Sequence, residues 1–256
     1  MLGADFPSGR RAEAGFHDLA CRIGPGFSFL QTRPPTERPG QGAAGDRYVG
    51  PWVEGIARDR HQVAAVLGYR YGSAYAAAIA EGISHRQPMP AVILFDPQLA
   101  TIEFLGLEFS REIGAVSSLL ADDEIERARK AAEEICRPAT SDIAQAAAEI
   151  VESYFEVITA AFERAGLGDA RSNKFAIAFE SYISWLSAAD QIDPGPAWEW
   201  STVIASSGYP GLPAAACAAG DDGRPGRMIR FDVGHADLLR SEDVAEAVLA
   251  LLQSRS

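Results

Sequence analysis

The stretch from Val63 to Phe95 limits most strongly what this chain can become. Val63-Ala64-Ala65-Val66-Leu67 is a short apolar run that ends at a glycine, Gly68, which predicts a buried strand entering a tight turn over Gly68–Gly72. The alanine-rich segment Ala74 to Gly82 then predicts a helix. Ala91-Val92-Ile93-Leu94-Phe95 shows no polar alternation, as suits a strand covered on both faces of a parallel sheet. Strand, helix, strand is a βαβ unit, which in parallel sheets is nearly always right-handed. An α/β architecture follows, and in open parallel sheets ligands bind beyond the carboxyl ends of the strands.

The flanking sequence is consistent with such a sheet. Met1 to Gly9 reads as short and turn-like. Arg11 to Ile23 predicts a helix with an apolar face of Ala14, Phe16, Leu19, Ala20 and Ile23, stopped by Gly24-Pro25-Gly26. Phe27 to Gln31 predicts a strand, Thr32 to Asp46 a polar loop, and Tyr48 to Arg58 a helix. From Asp122 to about Ala189 the apolar residues recur only at helical spacing, with Ser141 as an N-cap and Gly166 as a stop. The sheet resumes at Ser201 to Ala205. A loop over Ser206 to Arg227 leads to a last strand, Met228 to Val233, and Ser241 caps a final helix through Leu252. The expectation is one domain over 1–256 with an all-helical lid inserted at 119–190. The lid aromatics Tyr154, Phe155, Phe162, Phe175, Phe179, Tyr182 and Trp185 should be mostly core, a few of them lining an apolar substrate chamber.

Charge narrows the partners. With a formal net charge of −12, the chain lacks the basic footprint needed for nucleic acid or an anionic membrane surface. No apolar run approaches the roughly 20 residues of a membrane span. No N-terminal segment combines a basic region with an apolar core, so a cytoplasmic protein is expected. Cys21, Cys136 and Cys217 are odd in number and far apart, which reads as free thiols. His17, His61 and His85 show no ligand spacing with carboxylates or cysteines, and neither a metal nor a cofactor is expected.

Three chemically capable features fall at strand ends: the Gly68–Gly72 turn, Asp96 after the second strand, and His235 in Gly234-His235-Ala236-Asp237-Leu238-Leu239. Turn, acid, histidine is the chain order of an α/β-hydrolase triad. Gly68-Tyr69-Arg70-Tyr71-Gly72-Ser73-Ala74-Tyr75 resembles the G-x-S-x-G-G elbow of the α/β-hydrolase-fold thioesterases of nonribosomal-peptide and polyketide assembly lines. Ile93-Leu94-Phe95-Asp96-Pro97 resembles their following strand and its triad aspartate. Gly234-His235 resembles their histidine segment, and Arg10 to Gln31 their early helix and strand.

The resemblance implies an α/β-hydrolase fold and a carrier protein with a phosphopantetheine-linked acyl or peptidyl intermediate, or a small-molecule product, as partner. It implies oxyanion-hole amides from Tyr71 and from Asp5 in the loop Ala4-Asp5-Phe6. The strand before that loop looks truncated, and an upstream start would restore it. The nucleophile position holds Arg70, whose guanidinium stays protonated and cannot attack a thioester. His235 is then the expected general base, oriented by Asp96. Arg70 either stabilises an anion at a helix N-terminus or fills the vacated site and pairs with Asp96. Ser73, three positions on and on nearly the same helix face, is the alternative nucleophile. Two functional expectations stand: an enzyme of secondary metabolism that forms no serine ester, or a catalytically inactive homologue that binds a carrier protein, a synthetase or a product.

Overall fold

A computed structural model describes residues 1–6, 13–33, 45–137, 142–193, 198–211 and 226–254. The chain divides into two compact units, one containing Met1–Arg33, Gly45–Leu99 and Ile192–Ser256, the other Ala100–Gln191.

The first unit is built on six parallel strands in the order β2-β1-β3-β4-β5-β6. These are β1 (Leu2–Ala4), β2 (Leu30–Gln31), β3 (Ala65–Tyr69), β4 (Ala91–Phe95), β5 (Thr202–Ala205) and β6 (Arg227–Arg230). β3 and β4 pair along their full length, from Ala65 opposite Ala91 to Tyr69 opposite Phe95, and every residue of both is buried. Each such aliphatic or aromatic side chain withdrawn from water contributes about 1.5–3 kcal/mol, so these central strands anchor the sheet. β6 is the opposite case. Arg227 and Arg230 bound it and Met228 is 41% exposed, which suits an edge strand protected by charge.

Alternation of side chains gives the sheet two different faces. Ala65, Leu67, Tyr69, Ile93, Phe95 and Ile204 share one hydrophobic cluster with helix α1 (Phe16–Ile23) and the C-terminal helix α8 (Glu242–Gln253). On α1 the buried residues are Phe16, Leu19 and Ile23, the expected apolar face, with Ala20 only partly covered. Helix α3 (Gly72–Ser84) crosses the other face, with α2 (Asp46–Arg58) behind it. A Cβ on Gly82 would stand 2.7 Å from Val53, and Tyr48 meets Tyr75 edge-on at 5.7 Å. Ser241 caps α8 as expected, its Oγ accepting from the Val244 amide.

One opening expectation needs correction. Leu2–Ala4 is a strand rather than part of a turn, fully buried and paired to β2 on one side and β3 on the other. Three residues are too few for a period-2 pattern to register, but two parallel neighbours satisfy their backbone and bury them.

The second unit is helical: α4 (Ile102–Ala115), α5 (Asp122–Ile135), α6 (Ile143–Arg164) and α7 (Asp169–Ala189). It begins before the expected boundary at 119, because Leu105, Phe109 and Ile113 make α4 part of its core. Phe109, Tyr154 and Phe179 form one aromatic group, Tyr154 and Phe179 with centroids 4.1 Å apart, while Phe155 is 38% exposed. Asp142 rather than Ser141 caps α6, its Oδ1 accepting from the amides of Ala144 and Gln145; Ser141 itself lies outside the described residues. Gly166 takes a left-handed φ of 66° after α6, the stop expected of it. Among the described residues no helix is long and apolar enough to cross a membrane.

Candidate functional site

β3 runs into α3 through two residues, Arg70 and Tyr71. The glycines on either side are sterically required. A Cβ on Gly68 would meet Ser73 Cα at 2.6 Å, and one on Gly72 would meet the Ala4 carbonyl oxygen at 2.0 Å. The bend is so tight that Arg70 adopts a φ of 50°, a left-handed value rare outside glycine, asparagine and aspartate. Its amide bonds to the Phe95 carbonyl, and its own carbonyl accepts from the amides of Ser73 and Gln98. The elbow is thus locked to the start of α3 and to the end of β4.

Asp96 follows β4 in the same left-handed region, at φ 42°, and is 1% exposed. Its amide bonds to Ile204 in β5, its Oδ1 accepts from the Ser206 amide at 2.8 Å, and its Oδ2 lies 2.7 Å from His235 Nδ1. A carboxylate so fully engaged favours the imidazole with its proton on Nδ1. His235 opens a short 3-10 helix, His235–Arg240, whose Leu238 and Leu239 are fully buried in the α1–α8 cluster. Those leucines fix the backbone from which the imidazole projects, and its side chain is 32% exposed.

The loop after β5 is pinned from two sides. Arg230 donates to the carbonyls of Ser206 and Tyr209 at 2.9 and 3.0 Å, and the Tyr209 hydroxyl donates to the Pro97 carbonyl at 2.8 Å. Burial, and secondarily the Asp96 charge, push the Tyr209 phenol well above its ordinary value, so it stays a neutral donor.

The expected residues assemble as follows. Asp96 and His235 are in direct contact. The Arg70 guanidinium is held through Nε to Gln98 Oε1 (3.2 Å) and through its terminal nitrogens to Glu13 Oε2 and the Tyr71 hydroxyl (both 3.4 Å), and it lies 5.0 Å from the Tyr71 ring centroid. Ser73 sits inside the first turn of α3 with no exposed surface. The loop after β1 does reach the elbow, since Ala4 O and Asp5 Cα both crowd Gly72. The Asp5 amide, however, donates to Thr32 Oγ1 at 3.2 Å and the Phe6 amide to Asp5 Oδ1 at 2.9 Å.

Sequence reasoning missed several partners: Tyr69, whose hydroxyl lies 2.9 Å from His235 Nε2, then Glu13, Gln98, Ser206 and Arg230. Only Tyr69 carried a signal, because it ends the apolar β3 run immediately before the elbow. His17 needs a correction too. One helical turn separates it from Cys21, and its Nε2 lies 3.7 Å from that thiol. Among the described residues no group of three or more histidine, cysteine or acidic side chains is arranged to hold a metal ion; Cys217 lies outside them.

No protein-family model matches the chain, and no curated protein matches it. Solved structures do. The enol-lactonase from Burkholderia xenovorans LB400 aligns at a TM-score of 0.53 and 15% identity, covering 98% of this chain and 90% of that one. ALR0039 from Nostoc sp PCC 7120, assigned as an α/β hydrolase, aligns at 0.50 and 12%, covering 98% and 90%. RedJ, a thioesterase from the prodiginine pathway of Streptomyces coelicolor, aligns at 0.45 and 15%, covering 100% and 85%. Six parallel strands flanked by helices, with two matches at 0.50 and above, define the α/β-hydrolase fold. At these identities the likeness establishes the fold and leaves the chemistry to the site.

Proposed function

We propose that the chain is a thioesterase-like enzyme of secondary metabolism, acting on an acyl or peptidyl intermediate delivered by a carrier protein or already released. Asp96 and His235 are its base pair, and Arg70 its anion-stabilising cation. The observation that carries this reading is the 2.7 Å contact between His235 Nδ1 and a buried Asp96 that also accepts from Ser206. In this reading Arg70 stands at the position of the nucleophilic serine, so no acyl-enzyme forms there. Hydrolysis by activated water, cyclisation and isomerisation each need only a base and a site for developing negative charge. In the hydrolytic case a water oxygen bonds to the thioester carbonyl carbon as its proton passes to the Tyr69 hydroxyl, 2.9 Å from His235 Nε2, and the phenol's own proton passes to Nε2, with Asp96 stabilising the imidazolium. The thiolate then leaves and takes up a proton.

Turnover of model acyl thioesters by the purified protein, lost in His235→Ala, is the expected result. Turnover that survives His235→Ala rejects the assignment.

A second reading, a catalytically inactive homologue that holds a carrier protein, a synthetase or a product, has its own support. The Arg70 guanidinium already engages Glu13, Gln98 and Tyr71. Arg70→Ser should then create thioester hydrolysis in a protein whose native form only binds. Absence of measurable affinity for acyl carrier proteins or their acyl chains removes this reading.

A further inference from the structure

The Tyr69 hydroxyl has two partners on one residue: His235 Nε2 at 2.9 Å and the His235 carbonyl oxygen at 3.3 Å. The two rings lie nearly parallel, 13° apart, with centroids 5.2 Å apart. Tyr69 is the last residue of β3 and 1% exposed. Its ring belongs to the cluster shared with Phe95, Leu238 and Leu239, so the phenol is delivered to the imidazole by the sheet itself.

Asp96 claims the Nδ1 proton, which leaves Nε2 of the neutral imidazole as an acceptor. A phenol is the complementary donor. When the imidazole is protonated, Nε2–H becomes a donor, and the same phenol oxygen can accept from it. The hydroxyl hydrogen then needs another acceptor, and the His235 carbonyl is in reach. Rotation about one C–O bond therefore satisfies both protonation states without moving either ring. A hydrogen bond to the charged form is the stronger of the two, so the phenol also stabilises an imidazolium as it forms.

We infer that Tyr69 is the positioning residue of His235: it holds the imidazole as the Nδ1–H tautomer when neutral and accepts Nε2–H once the ring has taken a proton. It thus supplies to the imidazole the hydroxyl partner that residue 70, an arginine, cannot supply. The inference rests on the reading of Asp96 and His235 as the working pair. It adds that His235 is oriented from both nitrogens, and that the residue immediately before the elbow does half of this.

Nitrogen NMR of the ¹⁵N-histidine-labelled full chain tests it, with His235 assigned by its loss in His235→Gln. At a pH where the ring is neutral, the native protein should show Nδ1 protonated and Nε2 as a hydrogen-bonded imine nitrogen. Tyr69→Phe should move the Nε2 resonance downfield, towards an unbonded imine, while Nδ1 stays protonated against Asp96. Should Tyr69→Phe fail to fold, 3-fluorotyrosine incorporation keeps the shape and makes the phenol a stronger donor, which should move Nε2 upfield. A native imidazole protonated on Nε2, or an Nε2 resonance that neither replacement moves, overturns the inference. The outcome is independent of turnover: loss of the base assignment through an active His235→Ala would leave these resonances where they are.

Discussion

Arg70 and Glu13 form an ion pair at 3.4 Å with both side chains mostly covered, 17% and 24% exposed. The cation at the elbow is therefore matched to a carboxylate from the segment just before α1, and the Ala14 amide ties that segment to the Ala236 carbonyl beside His235. An ion pair at such partial exposure is worth about 0.5–1 kcal/mol after screening and side-chain ordering. A double-mutant cycle of Glu13→Gln and Arg70→Gln, followed by urea unfolding, should return a coupling of about that size. A coupling of zero would mean that the two side chains are neighbours without being partners.

The elbow glycines make a sharper prediction. A methyl group at Gly72 would have to pass the Ala4 backbone carbonyl, which cannot swing aside without breaking β1 pairing. Gly72→Ala should destabilise the protein by about 3 kcal/mol, the upper end of the usual range for overpacked cores. Gly166 is the control: it has positive φ but nothing within 4 Å of a Cβ. Gly166→Ala should cost only the left-handed backbone penalty, about 1 kcal/mol. Gly72 is not at positive φ, so a loss there no larger than at Gly166, measured by denaturant midpoint, would mean that the Ala4 carbonyl gives way to the added methyl.

How much of this was legible in the sequence depends on how local each signal is. The central unit was readable because Val66-Leu67 and Ala91 to Phe95 are apolar runs bounded by glycine and proline, and Gly68 and Gly72 mark a bend that only glycine permits. The pairing of Asp96 with His235 was implied by the resemblance to a triad in the chain order elbow, acid, histidine. β1 was not readable, since three residues carry no period. Glu13, Gln98 and Arg230 were not readable either, because each meets the site across a loop, and nothing in the identity of a surface-type residue says which distant group it will face. Tyr69 lay between. Its place next to Arg70 in the elbow motif was visible, but its partner was not.

Asp96 carries two bonds that substitution separates. Asparagine can still accept from the Ser206 amide but can present an amide N–H to His235 Nδ1, which forces the proton to Nε2. On the proposed enzymatic reading, Asp96→Asn should therefore remain folded and lose about a thousandfold or more in turnover. Asp96→Ala leaves the buried Ser206 amide without its partner, at about 1–3 kcal/mol for an unsatisfied group, and removes the partner of the partly exposed His235 Nδ1. Parallel melting and rate measurements check the split. Equal activity loss with no stability difference between the two would deny Asp96 its structural half.

In the helical unit, acid should weaken one identifiable link. Glu124 receives two bonds from Arg164 at 2.8 Å, one to each carboxylate oxygen, and its Oε2 also accepts from the Ala121 amide, so it closes the start of α5 and ties it to the end of α6. Arg164 first, and the Ala121 amide second, hold the carboxyl below its ordinary value of 4.5. A carboxylate depressed in the folded state adds stability that is present above 4.5 and lost as the pH falls through the lower, folded value. Glu124→Gln keeps the shape but not the charge, so it should melt below the native protein near neutral pH, and the gap should close as the pH drops below 4.5. The pair lies at the surface, so salt should narrow the gap in the same way. A gap that persists undiminished into acid would mean that the ionised carboxylate is not what Glu124 contributes, because protonation removes its bidentate bonds with Arg164 as surely as glutamine does.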